Sequence, residues 1–185
     1  MASKIKFTLI SNVKSGNQFF LNWWAHQTHH KHLLPRTAAF FRNNLVAAIK
    51  VSVKRKVVAA AGLVPSVTSD GELINFEGNP VVEFCSNFVS ERYRGKNIAR
   101  RMIQMRMDFC RQNSLIAIVV TKEPKISKII SDLGWHEMAK YRRYDKIRQL
   151  IRNCTCEKND HTFTGERCDV CPFLGRSIWV FNPNN

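Results

Sequence analysis

A strand that leads through a short basic turn into an amphipathic helix is the feature that most constrains the fold. The strand, Val81–Val89, is an apolar run bounded by Pro80, and the helical stretch Arg94–Gln112 follows it. The helix is apolar on one face, where residues recur at spacings of four, three and four: Ile98, Met102, Met105 and Phe109. Because both elements must bury an apolar surface, they predict a sheet packed against helices.

Segments before and after this one extend the pattern along the chain. The other predicted strands are Lys4–Ile10, Leu45–Val53, Lys56–Val64, Leu115–Thr121, Trp135–Arg143 and Ser177–Phe181. The other predicted helices are Phe19–His26, Arg36–Asn44, Lys125–Asp132 and a basic segment, Tyr144–Asn153. This order predicts an α/β (α+β) fold with a mixed central sheet flanked by helices.

The net charge narrows the choice of partner. The chain has 29 Lys and Arg against 14 acidic residues, a formal charge of +15, and its first acidic residue is Asp70. Such a surface attracts polyanions, which favours a nucleic acid or a nucleic-acid-bound protein as partner. The alternative is a basic protein without a nucleic-acid partner. No apolar run is long enough to span a membrane and no signal peptide is evident, so we expect a cytoplasmic protein without a membrane partner.

Six cysteines fall into two groups. Cys85 and Cys110 are isolated in apolar segments, where a thiol behaves as a small buried hydrophobe. The other four form two closely spaced pairs separated by eleven residues: Cys154, Cys156, Cys168 and Cys171. Their spacing predicts a structural Zn²⁺ knuckle, in which His161 could replace one thiol. We therefore expect a main domain over 1–153, the knuckle over 154–171, and the last strand of the sheet within 172–185.

The basic turn has the chemistry of an anion site. A helix N-terminus offers unpaired N–H groups and the positive end of the helix dipole, which suits a pyrophosphate. Arg92, Arg94 and Lys96 add positive charge at the same end. The alternative is an ordinary basic turn before a solvated helix.

Two motifs resemble those of the GNAT acetyltransferase superfamily. The segment Arg94-Gly95-Lys96-Asn97-Ile98-Ala99 is similar to the family's cofactor motif, Gln/Arg-x-x-Gly-x-Gly/Ala, with Asn97 at the central Gly position. Downstream, Leu133-Gly134-Trp135 resembles the family's Leu-Gly-Phe/Trp ending of a helix. The resemblance implies an acetyl-CoA-dependent N-acetyltransferase, with the cofactor between two splayed strands. It also implies that the backbone of Asn87, Phe88 and Val89 pairs with the pantetheine, while residues 94–99 hold the pyrophosphate.

Glu83 is the candidate general base. Acyl transfer to an amine needs a carboxylate that accepts a proton, often through water. Strict strand alternation places Glu83, Cys85, Asn87 and Val89 on one face, and Glu83 stands where histone-acetylating relatives carry their base. The alternative is a strand glutamate that faces solvent or pairs with an Arg.

Other candidate residues have a structural alternative. The family's tyrosine general acid is replaced by Ile130, which leaves Tyr141 and Tyr144 as candidates, with a structural role as the favoured interpretation. The histidines 26, 29, 30 and 32 are interpreted as a solvated loop rather than a metal site. The aromatic residues of the first two helices could contact the acceptor or form the core: Trp23, Trp24, Phe40 and Phe41.

The sequence thus predicts transfer of an acetyl group to a primary amine of an anionic or nucleic-acid-associated acceptor. The alternative hypothesis is a weakly active or inactive GNAT-like module that binds nucleic acid through its basic surface and its zinc knuckle.

Overall fold

A computed structural model of the chain describes residues 4–11, 18–28, 36–68, 71–121, 123–147 and 177–184. The strands are β1 (Ile5–Ile10), β2 (Ala47–Val53), β3 (Lys56–Pro65), β4 (Asn75–Phe76), β5 (Asn79–Val89), β6 (Ile116–Thr121), β7 (His136–Glu137) and β8 (Ser177–Phe181). The α-helices are α1 (Gln18–Gln27), α2 (Ala38–Asn44), α3 (Ile98–Gln112) and α4 (Pro124–Asp132). These residues divide into two compact units, of which the first comprises 1–64 and 84–109 and the second comprises 65–83 and 110–185.

The first unit is a sheet with helices on both faces. Its strand order is β1-β2-β3-β5, and β2 pairs antiparallel with both β1 and β3. Successive side chains of β2 point to opposite faces. Ala48 accordingly packs with the buried aromatic residues of α1 and α2, whereas Ile49 packs with Ile98 and Met102 of α3. Helix α3 therefore packs against the sheet through the apolar face that the sequence periodicity predicted.

Trp24 organises the face that carries α1. Its indole is fully buried and stacks on Phe41 of α2 with ring centroids 4.0 Å apart. The strand beneath it carries Gly62, and a Cβ at that position would lie 2.6 Å from Trp24 Cη2 and 2.7 Å from Leu45 Cδ2. The interpretation of Trp24 and Phe41 as core residues is confirmed, and glycine at position 62 provides the space for the indole.

The second unit contains the remaining strands. β5 pairs in parallel with β6 over Val81–Glu83, β6 pairs antiparallel with β8, and β8 pairs antiparallel with β7. The hairpin of β4 and β5 is tied down by Arg143, which donates hydrogen bonds of 3.1 and 2.6 Å to the two Glu77 oxygens. This guanidinium lowers the pKa of Glu77 below its ordinary value. Parallel and antiparallel pairs together confirm the predicted mixed sheet.

Two predicted elements are wrong in their extent. The helix predicted over Arg94–Gln112 begins at Ile98, because Gly95 and Asn97 adopt left-handed backbone angles (φ 77° and 59°) that cannot continue a right-handed helix. The strand predicted over Trp135–Arg143 is limited to His136–Glu137 and then turns through two short 3₁₀ segments. The two-residue strand β4 was missed because it is too short to show a period.

Several predictions concern residues outside the described part of the chain. The four cysteines at 154, 156, 168 and 171 lie there, as do the histidines at 29, 30 and 32 and the end of the segment predicted over Tyr144–Asn153. Cys85 and Cys110 are buried, as predicted. None of the helices that the structure describes is long and apolar enough to cross a membrane.

We expect Gly62→Ala to destabilise the protein by about 1–3 kcal/mol, because the added methyl overlaps the Trp24 indole and overpacks the core. Urea denaturation followed by Trp fluorescence measures this free energy of unfolding. In a Trp24→Phe background the same substitution should cost less, because phenylalanine lacks the outer ring atoms of the indole. An equal cost in both backgrounds would contradict the proposed overlap.

Candidate active site

The site begins at a backbone irregularity in β5. Ser86 has φ 49°, a left-handed conformation that few residues other than glycine adopt within a strand. The Trp24 indole N–H of α1 donates a hydrogen bond of 3.0 Å to the Ser86 carbonyl oxygen. This bond links the conformation of β5 to the fully buried aromatic stack of α1 and α2.

The irregularity changes which residues share a face. Phe88 contacts Trp23 of α1 edge to face, with centroids 5.8 Å apart, and the Cys85 sulfur lies beside Gly62 together with Trp24. Val89 instead packs against the buried cluster that contains Ile98 and Met102 of α3. The prediction that strict alternation places Cys85 and Val89 on one face is therefore wrong, because the left-handed Ser86 shifts the alternation of β5.

Asn87 follows directly after this irregularity. Its side-chain Oδ1 is buried and has no hydrogen-bond partner in the described part of the chain. A buried carbonyl without a donor is unfavourable by roughly 1–3 kcal/mol. The atom is therefore well suited to accept a hydrogen bond from a ligand that reaches the end of β5.

The chain then turns tightly into α3. The Ser90 N–H donates to the Val58 carbonyl (2.9 Å) and the Arg94 N–H to the Glu91 carbonyl (2.9 Å), which fixes the turn on β3. Gly95 and Asn97 have positive φ, and the space where a Gly95 Cβ would stand is open. An intrahelical bond starts from the Asn97 carbonyl, which accepts from Arg101 N–H (3.1 Å). The predicted turn is thus present, and Asn97 takes the backbone conformation that glycine usually supplies.

Positive side chains surround this turn. Arg94 Nε donates to the Val89 carbonyl at 3.2 Å, and Arg94 Nη1 lies 3.8 Å from the Glu91 carboxylate. The Tyr93 ring lies close to two cations, with Arg92 Cζ 5.2 Å and Lys96 Nζ 5.3 Å from its centroid. Ile98 is buried in the core and Ala99 follows it on α3, so the first turn of the helix is anchored. Exposed cations beside an anchored helix N-terminus fit a pyrophosphate.

The remaining candidates lie in the second unit. Glu83 is half-buried and pairs with Ile118 at the end of the parallel ladder, and its role as base stays a prediction. Tyr144 is buried against Phe76 (centroids 5.8 Å), which supports a structural role, whereas Tyr141 is 45% exposed. The described residues contain no group of three or more metal-ligating side chains.

The chain belongs to the acetyltransferase (GNAT) family, because that family's model matches residues 9–126, more than half of its length. The predicted enzyme class, an acyltransferase, is thereby confirmed. No curated protein matches the sequence.

Several solved structures share the fold at low identity. Arabidopsis thaliana NAA60, solved with acetyl-CoA, is 10% identical over 98% of this chain and 100% of that one, with a TM-score of 0.61. Rv2747 from Mycobacterium tuberculosis, solved with CoA, is 15% identical over 95% of this chain and 98% of that one, with a TM-score of 0.58. Arabidopsis thaliana Naa50, solved with the bisubstrate analogue CoA-Ac-MVNAL, is 13% identical over 71% and 83%, with a TM-score of 0.53.

Sequence reasoning missed the role of Trp24 at this site. The aromatic residues of α1 were identified, but periodicity carries no information about a hydrogen bond to a strand 62 residues away. The left-handed Ser86 was equally invisible, since serine is not typical of that conformation.

We expect Trp24→Phe to lower kcat for acetyl transfer roughly five- to tenfold, because a hydrogen bond worth about 1 kcal/mol no longer holds the Ser86 carbonyl. The matched control is Trp179→Phe, which removes an indole N–H that has no partner among the described residues. Steady-state kinetics and thermal melting should be measured on both variants. A Trp24→Phe enzyme that melts earlier but keeps the wild-type kcat would show that Trp24 acts on stability alone.

Proposed function

We propose that this chain is an acetyl-CoA-dependent N-acetyltransferase that acts on a primary amine of an anionic or nucleic-acid-associated acceptor. The observation that carries the proposal is the turn over residues 94–99, where left-handed Gly95 and Asn97 precede a helix N-terminus flanked by Arg92, Arg94 and Lys96. Family membership supports the reaction class. The solved structures of NAA60 with acetyl-CoA and of Naa50 with CoA-Ac-MVNAL support the choice of cofactor and of an amine acceptor.

In the proposed binding mode, the turn holds the pyrophosphate and the end of β5 holds the pantetheine. The first N–H groups of α3 have no intrahelical acceptor and would donate to the phosphate oxygens. The backbone of Asn87, Phe88 and Val89 would pair with the pantetheine amides. The buried Asn87 Oδ1, which has no partner among the described residues, would accept one further hydrogen bond from this part of the cofactor.

The proposed reaction is direct transfer. The neutral amine nitrogen attacks the thioester carbonyl carbon, and an N–H donor at the end of β5 stabilises the tetrahedral oxyanion. The carbon–sulfur bond then breaks and the thiolate of coenzyme A leaves. Glu83 takes the proton that the amine loses, directly or through water, and water returns a proton to the thiolate.

Acetyl-CoA binding is the first test. We expect calorimetric titration to show micromolar binding by the wild type, and Asn97→Gly to bind at least as tightly because glycine keeps the left-handed turn without a side chain near the phosphates. Asn97→Val should weaken binding by tenfold or more, because a β-branched residue disfavours φ 59°. If no binding is found at millimolar acetyl-CoA, the proposed function is wrong.

Glu83→Gln tests the assigned base. We expect kcat at neutral pH to fall 10²- to 10³-fold while the KM for acetyl-CoA stays near the wild-type value, because the glutamine cannot accept the proton. Glu72→Gln is the matched control, since Glu72 is an exposed carboxylate of the same unit. Full turnover by Glu83→Gln at pH 7 would refute the assignment and leave cofactor binding intact.

We further propose that the four cysteines of 154–171 bind one structural Zn²⁺, which pins the segment before β8. Two thiol pairs can supply the tetrahedral ligand set that zinc prefers. Metal analysis of the purified protein should therefore give close to one zinc per chain, and a Cys168→Ser/Cys171→Ser variant should lose it. A zinc content far below one per chain would contradict the knuckle.

The alternative hypothesis is a GNAT-like module with little activity that binds nucleic acid. The specific observation in its favour is the side chain of Asn97 at the centre of the turn over residues 94–99, which we call the cofactor turn. Nucleic-acid binding together with undetectable acetyl-CoA binding would favour this alternative.

A further inference from the structure

The net positive charge of the chain is almost entirely on the first unit. Residues 1–64 and 84–109 contain sixteen Lys and Arg against two acidic residues, a balance of +14, whereas the rest of the chain contains thirteen against twelve, a balance of +1. A general requirement for solubility would not separate the charge in this way. The concentration of net charge in the first unit therefore points to a negatively charged partner for that unit.

Much of this charge lines a groove on β1 and β2. The groove has a volume of about 870 Å³, and five of its nine lining residues are cations: Lys4, Lys6, Lys50, Lys54 and Arg55. None of the nine is acidic. We call this set of residues the basic groove.

The strand register aligns these cations. Lys6 lies opposite Ser52 and Thr8 lies opposite Lys50, so Lys6 and Lys50 are diagonal neighbours, about 7–8 Å apart at the backbone. Alternation places all four on the face that also carries Ala48. Lys50 Nζ lies 5.8 Å from the Phe20 ring centroid, so the Lys50 end of the groove lies near α1. On this face, two lysines and two hydroxyl side chains therefore alternate across the two strands.

The turn that closes the groove is conformationally costly. Lys54 and Arg55 both have positive φ, 48° and 67°, in a two-residue hairpin turn where Asn-Gly is the usual choice. Long side chains are unfavourable in this conformation, and outliers of this kind concentrate at functional positions. The chain keeps two cations at the tip of the hairpin despite a backbone that disfavours them.

We propose that the basic groove binds the phosphate backbone of a nucleic acid, without reading its sequence. Five lining cations, the hydroxyl groups of Thr8 and Ser52, and no carboxylate among the nine lining residues match a chain of phosphates. A flat membrane surface would not fill the recess. The groove is distinct from the cofactor turn, because β3 separates β2 from β5 in the strand order of this unit. The proposal stands whether or not the chain transfers an acetyl group.

The test is fluorescence anisotropy with labelled 20-nucleotide single strands of RNA and DNA, measured from 50 to 200 mM NaCl. The groove variant is Lys6→Gln/Lys50→Gln/Lys54→Asn/Arg55→Gly, in which Asn-Gly restores the preferred turn and protects folding. We expect the variant to bind at least tenfold more weakly at 100 mM NaCl. The slope of log K against log salt should flatten by roughly 0.7 for each phosphate contact that is lost.

The matched control removes four exposed cations from the second unit: Lys125→Gln, Lys128→Gln, Arg142→Gln and Lys146→Gln. It makes the same change in net charge but leaves the basic groove intact, so it should bind nearly as the wild type does. If both variants bound the nucleic acid equally weakly, net charge alone would explain the loss of affinity, and the proposal that the basic groove is the binding site would be wrong. Tighter wild-type binding of polyglutamate than of RNA at equal salt would overturn the choice of nucleic acid.

Acetyl-CoA titration of the groove variant separates this proposal from the proposed function. We expect the variant to bind acetyl-CoA as tightly as the wild type, because none of the four residues lies in the cofactor turn. A loss of acetyl-CoA binding in the groove variant would assign the groove to the cofactor instead. A wild type that binds RNA but no acetyl-CoA would leave the groove in place and refute only the acetyltransferase proposal.

Discussion

The hydrogen bond from the Trp24 indole to the Ser86 carbonyl is the interaction on which the candidate site depends. A left-handed serine inside a strand is unfavourable by itself, and the bond belongs to an indole that is fully buried and stacked on Phe41. The conformation of β5 is therefore fixed from the helix above it. The faces of Asn87, Phe88 and Val89 follow from that conformation, and so does the point at which the chain turns toward α3.

The first unit carries two groups of cations, one at the cofactor turn and one in the basic groove, and they have different chemical surroundings. At the cofactor turn the cations accompany helix N–H groups with fixed directions, which suits a compact ligand held in one orientation. In the basic groove they are mostly lysines, flexible point charges that suit a long polyanion bound in many registers. An acceptor attached to such a polyanion would be concentrated near the unit that also carries the proposed cofactor turn.

The features that have a periodic pattern or a motif could be predicted from the sequence. The amphipathic face of α3, the two strands on either side of Lys54-Arg55 and the mixed sheet were all predicted, because each depends on local patterns of burial. Features that depend on a single dihedral angle or a distant contact were not predicted. Ser86 reversed the expected alternation after Cys85. The helix began at Ile98 rather than Arg94 because the backbone is left-handed at Gly95 and again at Asn97, where no glycine marks that conformation.

Gly62 is a point of β3 at which residues of both α1 and α3 approach the strand. On one side of the strand the Trp24 indole occupies the space that a Cβ would need, and the Gly62 carbonyl accepts a hydrogen bond of 3.0 Å from Arg106, a buried residue of α3. Arg106 is also fixed by its bond to the Met102 carbonyl and by the Phe84 ring beneath its guanidinium. Both helices therefore contact Gly62, α1 through the Trp24 indole and α3 through the Arg106 guanidinium. Because α1 and α3 lie on opposite faces of the sheet, a side chain at residue 62 that displaced this strand would disturb the Trp24 packing on one face and the Arg106 hydrogen bond on the other.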